Sequence, residues 1–285
     1  MGVSDAIIRS LTVSFVLTLC ACSADRTDVS VNTATAQRIV SLDFCADQYV
    51  LKLVNPDRIL ALSPDATKAF SYMRDAAQGV PTVRPVAEDT LVLQPDLIVR
   101  SYGGGPNATR LFERAGVPVV QIGWAGDLAD IRRITGEVGA ALGASEEAAA
   151  VIQDIDLRLA ALQSPDNAAR LLYITPSGTT TGPGSLIDAL ITRAGLTNFE
   201  TTPGWRSLPL ERMVDVQPDL FAAAFFDDPG RSLDAWGVMR HPVAEAALQG
   251  RPRIDFDSAW VSCGGWFAVD ALEALNAAAQ ARLQP

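Results

Sequence analysis

Residues 88–98 read Glu-Asp-Thr-Leu-Val-Leu-Gln-Pro-Asp-Leu-Ile, and residues 211–221 read Glu-Arg-Met-Val-Asp-Val-Gln-Pro-Asp-Leu-Phe. Both follow the pattern E-x-x-[LV]-x-[LV]-Q-P-D-L. In each, the proline stops a short helix, because the residue before it is pushed out of the α region. A Pro-Asp turn then leads into an apolar run, which predicts buried strands over 97–99 and 220–225. Two such copies, far apart in the chain, predict two similar lobes and not a solenoid.

The sequence on either side supports this. Residues 38–42 (Arg-Ile-Val-Ser-Leu) form a compact strand, followed by Asp43 as a helix N-cap and a helix over 46–53. Further strands are predicted at 59–62, at 117–122 after the Gly116 helix stop, and at 171–174. A helix over 184–194 ends at Gly195. Short apolar strands alternating with helices mean α/β layers built on parallel sheets.

Between the halves, residues 127–142 carry Leu128, Ile131, Ile134 and Val138 on one side, and Gly143 ends that helix. Ser145 reads as the cap of a second helix, with Glu146 and Glu147 near its positive end. Ala148, Ile152, Ile155, Leu159 and Leu162 then follow at helical spacing. That helix would be about 27 Å long. It suits a stiff connection between lobes, but periodicity alone also allows a helix that covers one lobe.

The chain has 285 residues, 48% hydrophobic and 20% charged, which is ample for two lobes and too apolar for disorder. A net charge of −10 argues against binding nucleic acid. The N-terminus reads as an export signal: Arg9 precedes an apolar run, 11–19, too short to span a bilayer. Leu19-Cys20-Ala21-Cys22 resembles a bacterial lipobox, which would leave Cys22 lipidated and the protein membrane-anchored. Ordinary cleavage after Ser23 or Ala24 is the alternative. Residues 23–37, small and polar, read as a flexible tether. The expected organisation is therefore signal 1–22, tether 23–37, first lobe 38–142, linking helix 143–165 and second lobe 166–285.

Little in the sequence suggests an enzyme. There is no Gly-x-Ser-x-Gly elbow, and Ser185 sits at a helix start as a cap. The single histidine, His241, reads as a turn or surface residue, and no set of metal ligands or cofactor site is evident. The loop 101–107 (Ser-Tyr-Gly-Gly-Gly-Pro-Asn) fits no dinucleotide or Walker pattern, although its backbone could approach a ligand. Tyr102 and Trp124 follow strands at their C-terminal ends, where α/β sheets place ligands. Arg100 and Arg206 neighbour aromatics in the sequence and could supply forked donors to an anionic ligand. Cys45 and Cys263 remain after processing. Export permits a bridge between them, but nothing in the sequence brings them together, so two unlinked thiols are expected.

Together, the twin E-x6-P-D-L segments, the opening Arg38-Ile-Val-Ser-Leu42, the export signal and the connecting helix resemble the cobalamin and ferric-siderophore substrate-binding proteins of ABC importers. The resemblance covers roughly residues 37–280. It implies two Rossmann-like lobes joined by one long backbone helix, with a ligand cleft between them. It also implies a periplasmic monomer whose partners are an ABC permease and its ATPase. By position, Glu88 and Glu211 correspond to the glutamates that dock on the permease, and Trp205 to a cleft aromatic of the cobalamin binders. Tyr102, Trp124, Arg100 and Arg206 complete the expected ligand site, with a ferric siderophore or corrinoid as cargo. A haem carrier, a ligand-binding sensor and an α/β hydrolase-like enzyme stand behind that reading. Cys45 and the 260–266 segment, Trp-Val-Ser-Cys-Gly-Gly-Trp, depart from the family pattern, one cysteine falling in each lobe.

Overall fold

The structure, a computed structural model, describes residues 33–163, 169–226 and 237–281. The lipobox and Cys22 lie outside these residues. The first sheet consists of β1 (Ile39–Ser41), β2 (Ile59–Ala61), β3 (Leu97–Arg100) and β4 (Val119–Gln121), all parallel, in the order β2-β1-β3-β4. The second consists of β5 (Arg170–Ile174), β7 (Thr197–Asn198), β9 (Leu220–Ala223) and β10 (Arg253–Asp255), also parallel, in the order β10-β9-β5-β7. Read from its other edge, the second sheet repeats the first, strand for strand in chain order. A short antiparallel pair, β6 (Thr179–Thr181) and β8 (Trp205–Ser207), is added to the second lobe.

The repeated motif does the same work in both lobes. Helix α2 (Ala87–Val92) leads through Pro95 into β3, and α7 (Leu210–Asp215) through Pro218 into β9. The aspartate after each proline ties that strand to the first strand of its lobe. Asp96 Oδ1 accepts the Arg38 N–H at 2.8 Å and returns its own N–H to the Arg38 carbonyl at 3.1 Å. Asp219 Oδ2 accepts the Arg170 N–H at 2.8 Å and returns its N–H to the Arg170 carbonyl at 2.7 Å. An aspartate supplies acceptors that a strand's first N–H otherwise lacks, which is why the motif needs Asp at that place.

The helices cover the sheets: α1 (Phe44–Leu53), α3 (Ala108–Arg114) and α4 (Leu128–Leu142) in the first half, α6 (Leu186–Arg193), α8 (Pro242–Gln249) and α9 (Ala268–Ala281) in the second. Asp43 caps α1 through the Ala46 N–H and Ser185 caps α6 through the Asp188 N–H, both as expected. Helix α5 (Ser145–Ala161) packs along α4 and reaches α9. Ser145 is its first residue and not its cap; Ala144 precedes it with no side-chain hydrogen bond. No described helix is long and apolar enough to cross a membrane.

One hydrophobic core runs through both lobes, from Ile39, Tyr49 and Ile131 to Tyr173, Leu190 and Leu272. The C-terminal segment builds much of this continuity. Trp266 packs edge-on against Tyr49 at 5.4 Å between ring centroids, and Phe267 stacks on Tyr72 at 4.8 Å. Tyr72 donates to Asp270 on α9, whose other oxygen pairs with Arg158 of α5. The expectation of two unlinked thiols is corrected: Cys45, on α1, and Cys263, just before α9, form a disulfide with their Cα atoms 5.7 Å apart. The sequence separates them by 218 residues, and only the packing of the C-terminal segment against α1 brings them within reach.

Candidate functional site

In both sheets the strands run so that their C-terminal ends face the junction of the lobes. The loop after β3 is fixed there by two buried side chains. Asp43 Oδ2 accepts the backbone N–H groups of Ser101, Tyr102 and Gly103 at 2.7, 3.0 and 2.8 Å. Arg100 takes the carbonyls: its Nε donates to Gly103 at 2.8 Å and its Nη2 to Tyr102 and Gly105 at 3.2 and 2.9 Å. The loop passes so close to β1 that a Cβ on Gly103 would strike the Leu42 carbonyl; only glycine fits. Tyr102 is thereby held half-exposed, its ring 6.1 Å from that of Phe44.

A cavity of about 380 Å³ opens between the lobes. Trp124 and Ala125 line it from the first lobe. Gly184 to Ile187 at the start of α6, Trp205 on β8, Phe225 after β9 and the 261–264 segment line it from the second. That size falls in the range of small-molecule sites. The two walls meet where Gly264 passes Ala125, so closely that a Cβ on Gly264 would come within 2.8 Å of the alanine's methyl. The bridged Cys263 is part of the wall. Trp124 and Trp205 are 76% and 52% exposed, large apolar faces left uncovered by the fold itself.

The sequence-predicted residues divide into three groups. Trp124 and Trp205 come together in the cavity wall. Tyr102 lies outside that wall, on the loop after β3, its ring against that of Phe44, the chain neighbour of bridged Cys45. The two arginines do not join the aromatics, and this corrects the expectation of free guanidinium donors. Arg100 is 6% exposed and its guanidinium is spent on the loop. Arg206 follows Trp205 on a strand, so it points to the opposite face. It lies in a separate 690 Å³ hollow with Glu200, Glu211 and Arg212, its Nε 3.7 Å from a Glu200 carboxylate oxygen.

Glu88 and Glu211 are both exposed, each in the first turn of its short helix. Among the described residues no group of His, Cys, Asp and Glu is arranged to hold a metal ion.

Burial dominates the electrostatics beneath the loop after β3. Asp47, enclosed under the loop with its oxygens accepting the Ser63 N–H and hydroxyl at 3.1 and 2.6 Å, is pushed up to about 7. Desolvation outweighs the hydroxyls of Ser41 and Ser63, which act the other way. Tyr102 is shifted well above the usual phenol range, first by burial and then by the carboxylates of Asp43, Asp65 and Asp47.

Two contributors went unread in the sequence. Phe225 was expected within a strand. Instead the strand ends at Ala223, and Phe225 takes φ +67°, a left-handed conformation rare for an aromatic residue, which turns it into the cavity wall. No sequence signal marks such a position. Asp43 was read only as a helix cap; its second role needs a loop 58 residues away.

A sequence profile described as periplasmic binding protein matches residues 39–247. Among solved structures, the periplasmic haem-binding protein HutB of Vibrio cholerae is similar, with a TM-score of 0.69 at 19% identity over 87% of this chain and 99% of that one. A periplasmic haem-binding protein from Pseudomonas aeruginosa gives 0.62 at 25% identity, over 85% and 92%. The periplasmic vitamin B12 binding protein BtuF of Vibrio cholerae gives 0.59 at 16%, over 88% and 99%. No curated protein sequence matches the chain. The matched profile, covering both lobes and both copies of the repeat, shows that the chain belongs to the periplasmic binding protein family, the substrate-binding components of ABC importers.

Proposed function

We propose that this chain captures a large iron or cobalt chelate, a ferric siderophore or corrinoid, between its lobes and delivers it to the permease and ATPase of an ABC importer. The observation that carries the reading is the apolar cavity with an exposed tryptophan from each lobe. Flat indole faces give large contact area at low entropic cost, which suits a bulky, partly apolar ligand. The exposure of Glu88 and Glu211 on matched helices supports a docking role, one carboxylate per lobe meeting basic side chains on the permease. Lipidation at Cys22 would hold a monomer at the membrane, and fatty-acid labelling lost in Cys22→Ala checks that part.

Tryptophan fluorescence of the purified protein, titrated with ferrichrome, ferrioxamine B, ferric enterobactin, cyanocobalamin and haemin, tests the cargo. Saturable quenching by at least one siderophore complex or by cyanocobalamin supports the reading, quenching by haemin alone supports haem as cargo, and quenching by none overturns both. Glu88→Arg and Glu211→Arg should each abolish uptake while leaving that ligand's affinity nearly unchanged. Equal loss of affinity and uptake would remove them from docking.

A second reading, haem as cargo, is favoured by one observation: the half-exposed phenol of Tyr102 on the loop after β3, a side chain able to ligate haem iron. The haem-binding proteins of similar fold point the same way.

A further inference from the structure

We infer that the ligand surface seated in this cavity carries no negative charge, so that the cargo is a neutral or cationic chelate and not a polyanionic one. The inference rests on the reading of the chain as a chelate carrier and narrows it to a charge class.

The described cavity wall contains no ionisable side chain: it is built from Trp124, Trp205, Phe225, aliphatic residues, glycines, two serines and a cysteine held in a disulfide. Neither of the two cations that the sequence offered to an anion lies in this wall. Arg100 is buried and clamps three carbonyls of its own loop. Arg206 faces the other side of β8 and lies near buried Glu200. Arg74, on the segment that meets the second lobe, is paired with Asp257 at 3.5 Å. The carboxyl groups nearest Tyr102 are those of Asp43 and Asp47, both buried beneath it, and of Asp65. The whole chain carries −10.

An anion placed in such a wall loses its water and gains no cation in return, which is costly. Three hydroxamate groups neutralise ferric iron, whereas three catecholates leave three negative charges on the complex. The wall therefore discriminates between siderophores of similar size by charge. It accepts a hydroxamate-type ferric complex or an uncharged corrinoid face. It accepts haem only with both propionates turned to solvent.

Fluorescence titration of the purified protein tests this with probes that differ in charge. Ferrichrome is neutral, ferrioxamine B is cationic and ferric enterobactin is trianionic. Haemin is compared with its neutral dimethyl ester, and cyanocobalamin serves as a neutral corrinoid. The expected result is that ferric enterobactin binds about tenfold or more weakly than the better hydroxamate complex. Haemin should bind no more tightly than its ester. The affinity for the best neutral probe should change less than about twofold between low and high salt, since no ion pair is being screened. Tighter binding of enterobactin than of both hydroxamates, or of haemin than of its ester, overturns the charge class while leaving the carrier reading intact. Quenching by none of the probes overturns the carrier reading itself, and the inference falls with it.

Discussion

Asp43 accepts the backbone N–H of Tyr102 at 3.0 Å across 59 residues of sequence, and with it those of Ser101 and Gly103. The same side chain caps α1 through the Ala46 N–H at 2.9 Å. One carboxylate thus fixes both the helix that carries Cys45 and the loop that carries Tyr102. Asp43→Ala would leave these donors without acceptors in a site where water has little access. Each such group costs about 1–3 kcal/mol, so we expect a loss of at least about 3 kcal/mol in urea unfolding. Asp43→Asn, which keeps one acceptor oxygen, should lose less. A loss below about 1 kcal/mol in Asp43→Ala would show that the loop is held by Arg100 alone.

The Cys45–Cys263 bridge closes a loop of 218 residues between α1 and the segment entering α9. A bridge across a long loop stabilises mainly by restricting the unfolded chain, typically by about 2–4 kcal/mol. For a chain of this size, its removal in Cys45→Ala/Cys263→Ala should lower Tm by roughly 6–12 °C. Reduction of the wild type should reproduce that shift in a calorimetric scan. The native fold should survive, because Trp266, Phe267 and Tyr72 still join the lobes. An unchanged Tm would mean that the bridge adds nothing to the folding free energy and that packing alone holds this junction in the folded state.

The repeat was legible because its parts act locally and twice. Proline ends the helix and aspartate ties the strand, and both effects are carried by the residues themselves. The cavity was legible only in part. Trp124 and Trp205 were found from strand ends and a family position. The direction of Arg206 depends on which face of β8 turns to the junction, which alternation within a three-residue strand does not reveal. Arg100 looked available because sequence shows a charge and not the carbonyls folded around it. The cysteines, 218 residues apart, are joined by tertiary packing that no local pattern encodes.

Asp47 makes stability depend on pH in a direction opposite to that of an ion-paired carboxylate. Burial raises its folded pKa to about 7 from 3.8, so between these values the folded state holds a proton that the unfolded chain releases. Stability therefore falls as pH rises from about 4 toward 7, and the cost stands in full above 7. Asp47→Asn, which mimics the protonated acid, should remove that dependence. Its stability relative to wild type should improve by a few kcal/mol on going from pH 4 to pH 8, measured by chemical unfolding at each pH. A pH-independent difference between the two proteins would mean that Asp47 is ionised throughout.

Trp205 combines exposure with a place in the cavity wall, and its ring also lies 6.1 Å edge-on from that of Tyr173 in the second-lobe core. Half of its surface is already in water, so truncation leaves little cavity behind and should cost the fold about 1 kcal/mol or less. The ligand, in contrast, would lose a flat apolar face at the centre of its site. Truncating such an anchor typically costs about 2 kcal/mol or more, roughly 30-fold in affinity. Trp205→Ala should therefore weaken the true ligand by about that factor with Tm nearly unchanged. Glu146→Ala, on the exposed first turn of α5, should alter neither. A Kd unchanged in Trp205→Ala, for a ligand shown to be transported, would remove Trp205 from the site. The cargo would then rest on Trp124, Phe225 and the loop at Tyr102.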